Sequence, residues 1–304
     1  MNHDGSTFMC GCAPFTDMVF FAKEVDEVAE RGVVDTTFLL WDESLEDEDG
    51  RWMKYDNSTS WRAMGIATIK PPGRRRLTVS LGSKGQYFEV DPESLDETVG
   101  TISRPVSGIR CVASWDHDIY AAGMGRVVLR RVACGDWVEF GPPEGEADED
   151  QVIGFEDLDG FAADDAYAVG WRGEVWWFGG GKWQQLDVPV GGKLNAVTCA
   201  KDGVVYAVGD NGSMIRGRGE QWEALETGRP ENLMDVAFFE GEVYVVTNFR
   251  ILKLADGELI PVDNFESGDA PADCLYLHEA EDGIVAMGSK CLFRLHEGTW
   301  KRVV

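Results

Sequence analysis

Tyr167-Ala168-Val169-Gly170 and Tyr206-Ala207-Val208-Gly209 are near-copies of one another, and each is followed 13 residues after its Gly by a Trp, Trp183 and Trp222. Weaker copies end at Gly82, Gly123, Thr247 and Gly288, and a degenerate one at Trp41. The seven markers are 41, 41, 47, 39, 38 and 41 residues apart. A period near 40 with several short strands per unit is that of a β-propeller blade. One small sheet cannot bury both of its faces alone and must stack on neighbours.

Within the fifth copy four strands are expected: Leu194 to Cys199, Val204 to Val208, Ser213 to Arg216 and Trp222 to Leu225. Lys201-Asp202-Gly203 and Asp210-Asn211-Gly212 mark hairpin turns, because Asp, Asn and Gly tolerate the positive φ that tight turns need. The sixth copy repeats the scheme with Leu259 in place of Trp. The closing aromatic recurs as Trp52, Trp137, Trp183, Trp222 and Trp300, 11 to 14 residues past its marker. Such regular recurrence belongs to a scaffold, with large rings filling the outer part of a blade or the gap between blades. The expected fold is therefore all-β: a seven-bladed propeller of four antiparallel strands per blade. It would use residues 1–304 as a single domain, with 1–15 as an irregular lead-in.

Nothing in the sequence approaches the roughly 18 to 20 apolar residues of a membrane-crossing helix, and the first residues lack a secretory pattern. Seven cysteines, at 10, 12, 111, 134, 199, 274 and 291, are odd in number and fall mostly in expected strands. That usage suggests thiols in a reducing compartment, so the cytoplasm is the expected location. Cys10-Gly11-Cys12 with His3 has no second Cys pair downstream, so no metal and no cofactor are expected.

Charge is the second informative feature. There are 54 acidic against 28 basic residues, a net charge of −26. From Val132 to Trp171 there is no Lys, Arg or His, while twelve acids occur, among them Glu144, Glu146, Asp148, Glu149, Asp150 and Asp157. Asp42 to Asp49 adds six acids in eight residues. A surface of this sign repels phosphates, which argues against nucleic acid as a partner. It steers a basic protein inward, and the stretch Gly141 to Gly154, the longest expected inter-blade excursion after the N-terminal region, is a natural place for recognition. Trp171 and Arg172 stand in a tight turn where the fifth copy has Asp210-Asn211 and the third only Met124, and Trp and Arg dominate interface hot spots.

A polar residue also recurs near the start of each unit: Asp17, Arg62, Arg110, Asp159, Asn195, Asp235 and Asp273. The first strand of a blade lies nearest the axis, so these seven are expected around the central channel. There they would either tie blades together or form a rim for a ligand. Catalytic motifs are missing: no Gly-x-Ser-x-Gly, no phosphate loop, no His-x-x-x-His, and only four histidines. No enzymatic activity is expected. The best enzymatic alternative is a hydrolase or lactonase with Ca²⁺ held by the channel carboxylates.

The unit Leu-x-x-Val, Tyr-Ala-Val-Gly, x-x-Gly-x-hydrophobic, Gly-x-Trp resembles bacterial propeller repeats of the broad WD40, YVTN and BNR-like class, over about residues 16–304. The terminal Trp-Asp of WD40 repeats and the sialidase Asp-box are not matched, so glycosidase residues do not carry over. Acidic bacterial propellers of this kind look like immunity proteins encoded beside secreted toxins. The resemblance implies a non-catalytic protein that caps and neutralises a basic toxin. A generic assembly scaffold is the alternative binding role.

Overall fold

The computed structural model describes residues 5–46, 51–70, 72–73, 75–91, 94–142, 152–266, 268 and 270–304. Among them, seven four-stranded antiparallel sheets follow one another along the chain, each built from four consecutive strands. They span 6–59, 63–101, 109–139, 155–186, 194–224, 235–261 and 276–302, and are called blades 1 to 7. The inner, first strand of each blade touches the inner strands of both neighbouring blades, and the series closes where blade 7 meets blade 1. The expected seven-bladed propeller is the observed fold.

Alternation within strands explains the stacking. Each blade buries side chains on both faces, and the core divides into seven apolar clusters, one in every seam between consecutive blades. Each closing Trp packs into the seam with the preceding blade: Trp183 among Trp115 and Tyr120 of blade 3, and Trp300 against Tyr244 of blade 6. The marker Gly has its own steric reason. A Cβ on Gly123, Gly170 or Gly209 would lie 2.0 to 2.1 Å from a carbonyl oxygen of the loop entering that blade.

Up-and-down connectivity sorts the loops onto two faces. Turns between second and third strands share one face with the loops that join blades, while the other hairpin turns lie opposite. Backbone bonds pin the two loop types of the first face together, as Trp171 N to Gly154 O at 3.0 Å and Asp210 N to Lys193 O at 2.9 Å.

Blade 1 corrects two expectations. Residues Ser6–Phe15, expected as an irregular lead-in, form its inner strand of ten residues. Trp41, read as a second-strand marker, lies in the third strand, Thr36–Asp42, opposite Trp52. A short helix, Asp26–Glu30, is inserted after the true second strand, Met18–Val25, and it displaces the repeat by one strand.

Among the described residues, ring closure uses no shared strand. Blade 1 is entirely N-terminal and blade 7 entirely C-terminal, so the joint rests on packing and a few polar ties. Phe8 N donates to Ser289 O at 2.8 Å, and Thr16 N and Oγ1 donate to the Asp282 carboxylate at 2.8 and 2.9 Å. Lys290 pairs with Asp26, and Arg294 with Glu43.

Candidate partner-binding face and central channel

The inner strands enclose a cavity of about 540 Å³. An inner strand has one edge with no strand partner, and its N–H groups need acceptors. In blades 4 to 7 carboxylates supply them across the seams. Val197 N donates to Asp157 at 2.9 Å, Cys199 N to Asp159 at 2.7 Å, Leu277 N to Asp235 at 2.8 Å and Phe238 N to Glu279 at 2.6 Å. Glu279 reaches further and accepts from Thr198 Oγ1 of blade 5 at 2.8 Å.

These four acids face the lumen but are enclosed by protein on their other sides, and burial is the largest influence on each. It pushes Asp157 and Asp159 up to about 8 and Asp235 to about 7, with mutual repulsion adding and the backbone donors opposing. Glu279 is raised for the same reason. Burial drives His278 the other way, to about 4, so its imidazole is neutral, and its buried Nε2 has no hydrogen-bond partner among the described residues. Cys12 at the wall is held as a thiol, pushed up to about 12 by burial.

Blades 1 to 4 are tied differently, by guanidinium–carboxylate pairs. Arg62 grips Glu24 at 3.0 and 2.9 Å, Arg131 grips Glu89 at 3.2 and 2.8 Å, and Arg126 grips Glu174 at 2.8 and 2.7 Å. All three glutamates are almost wholly buried. Two-pronged pairing of this kind is the geometry that best offsets their desolvation.

The seven residues expected around the channel separate into groups. Arg110, Asp159, Asn195 and Asp235 line it. Asn195 Nδ2 joins blade 5 to blade 6 through Leu233 O at 2.9 Å. Arg62 precedes the inner strand of blade 2 and is committed to Glu24, while Asp273 precedes that of blade 7 and accepts Ser289 N at 2.9 Å. Asp17 is misplaced by the displaced repeat: it sits in the first hairpin turn of blade 1, on the opposite face. Asp157, expected at a partner surface, lies in the channel instead. The reading missed Glu156, His278 and Glu279. The acid–x–acid spacing of Asp157 and Asp159, which places both on one side of a strand, was a signal for the lumen position of those two alone.

At the channel mouth the geometry joins the lumen to the face. Glu156 accepts a two-pronged contact from Arg110, with bonds of 3.0 to 3.2 Å, and the Trp171 indole N–H at 2.6 Å. Lys193 lies 5.4 Å over the Trp171 ring. Trp171 is half-buried on its own blade, while Arg172 beside it is exposed, at φ 63°. Glu144, Glu146, Asp148, Glu149 and Asp150, the acids Asp47 to Asp49, and His3 lie outside the described residues. The chain leaves for and returns from 143–151 on this same face, where Gly125 N bonds Ile153 O at 3.0 Å. Among the described residues no three His, Cys, Asp or Glu side chains are grouped to hold a metal, and no helix is long and apolar enough to cross a membrane.

The architecture is that of the WD40-type propellers. The WD40 propeller domain of Doa1 superposes with a TM-score of 0.67 at 12% identity, over 97% of this chain and 93% of that one. The RRP9 WD40 repeats give 0.63 at 16% identity, over 95% and 89%. No family model matches the sequence. The particular kinship comes from a curated relative, the immune protein Tsi7 of Pseudomonas aeruginosa strain PAO1. It is 31% identical over 309 residues, covering 96% of this chain and 95% of that protein. The chain belongs to the family of that immune protein.

Proposed function

We propose that this chain is a non-catalytic immunity protein that binds a cognate toxin in the cytoplasm and holds it inactive. The observation that carries the reading is the near-full-length kinship to an immune protein. A net charge of −26 favours a basic toxin, and carboxylates are suited to occupy a surface that such a toxin offers to an anionic substrate.

The binding face in this reading is the one that carries the inter-blade loops, with Trp171 and Arg172 as anchors and Glu144, Glu146, Asp148, Glu149 and Asp150 as the steering charge. The test uses the protein encoded beside this chain in its own genome. Co-expression should rescue cells from that protein and yield a stoichiometric complex. Trp171→Ala or Arg172→Glu should weaken the complex at least about tenfold, mainly through faster dissociation. Lys at 148, 149 and 150 should slow association in low salt and leave it nearly unchanged in high salt. A neighbour that is harmless, or that kills equally with this chain present, overturns the reading.

A further inference from the structure

Among the described residues the four lumen carboxylates have no ion-pair partner. Arg110 is committed to Glu156 and Arg76 to Glu281 at 2.8 Å, and Lys201 acts only through space on Glu279. A further observation at the same wall points to a ligand. Tyr276, 36% exposed, faces the lumen and stacks on His278 at 6.4 Å and 11°. The His278 ring backs that aromatic wall, with its enclosed Nε2 turned toward Gly11 of blade 1.

Carboxylates beside an accessible aromatic ring form a receptor for an organic cation, because the ring face attracts the charge while the acids neutralise it. The acids are spread over blades 4, 6 and 7 and are not gathered into a compact metal nest, which suits an elongated ligand better than an ion. We propose that the lumen binds an alkylammonium or alkylguanidinium group among Asp157, Asp159, Asp235, Glu279 and the ring of Tyr276. This site opens toward the inter-blade face at the Glu156 mouth, but binding of a small cation to the free chain tests it whether or not the toxin reading holds.

Entry of a cation favours the ionised carboxylates, so binding expels protons and strengthens as pH rises. The probes are n-butylguanidinium and spermidine, titrated by calorimetry into the full chain at pH 8.5 and pH 6, with Ca²⁺ as a control. Saturable binding of either probe is expected. It should be at least about fivefold tighter at pH 8.5, with a heat that differs between Tris and phosphate buffers because protons are released. Asp159→Asn and Asp235→Asn each keep one amide oxygen for the N–H of the neighbouring blade but turn an amide NH2 toward Gly160 N or Val236 N, so thermal melting first selects the variant that stays folded, and that variant should lose the binding. Tyr276→Leu should weaken the guanidinium more than spermidine.

Repeating the titration on the toxin complex separates two sources of the same chemistry. Binding lost in the complex identifies a Lys or Arg side chain of the partner as the occupant, and binding retained identifies a free cation. No saturable binding at pH 8.5, equal binding by the Asn variants, or binding of Ca²⁺ alone would overturn the proposal.

Discussion

Arg172 occupies the left-handed region at φ 63°, where the matching turn of blade 5 places Asn211 at φ 55°. A long side chain held there costs up to about 1 to 2 kcal/mol relative to glycine, and it forms no ion pair among the described residues. Arg172→Gly should therefore leave thermal stability equal or slightly raised while weakening toxin binding. A loss of both together would mark the residue as structural. The channel acids make a second prediction at this scale. Their folded pKa values lie above the ordinary carboxylate range, so folding takes up protons. The stability they contribute is complete below about pH 4 and is lost as pH rises through 7 to 8. His278 opposes them: with a folded value near 4, its stability is lost as pH falls from its ordinary value of about 6.5 toward 4. The urea midpoint should rise as pH falls from 8.5 to 6.5 and, with three acids set against one histidine, should keep rising more weakly toward pH 4. Replacing Asp157, Asp159 and Asp235 together by Asn should flatten the upper limb, and an unaltered slope would refute the assignment.

At the scale of strands and blades, the two halves of the ring predict different responses to mutation. Arg131→Ala leaves the buried Glu89 charge with the Gly135 N–H and the Cys134 thiol but no cation, and should cost about 3 to 5 kcal/mol in urea unfolding. Arg104→Ala removes a pair that is largely open to water and should cost under about 1 kcal/mol. The same scale shows what could be read from residues alone. Markers such as Gly170 were legible because a local clash, with the Gly154 carbonyl, imposes the residue in blade after blade. The closing Trp residues were legible because every seam has the same hollow to fill. Blade 1 was not, since the helix Asp26–Glu30 shifts its phase and carries Asp17 to the wrong end. Nor were Glu156 and Glu279, whose roles depend on Arg110 of blade 3 and Phe238 of blade 6, partners on other blades that no local pattern encodes. Trp171 stood out in the sequence, but its bond to Glu156 did not.

For the molecule as a whole, the seam between blades 7 and 1 is the joint with the least covalent security, because neither end contributes a strand to the other's blade. It should open first. Hydrogen exchange at Phe8 and Thr16 is expected to outpace that at Val169 in the middle of blade 4, and Asp282→Ala should accelerate the first two selectively. Uniform acceleration round the ring would show that all seams open together. The rim poses another question. Most fourth strands are only four or five residues long, but that of blade 1, Trp52–Thr59, has eight. Its surplus residues bulge out of register between Lys54 and Ser58, and Glu97 of blade 2 takes the Asp56 and Asn57 N–H groups at 2.8 Å. The longest stretch of perimeter is thus kinked and capped by a neighbour's carboxylate, which denies crowded copies a straight edge along which to zip into fibrils.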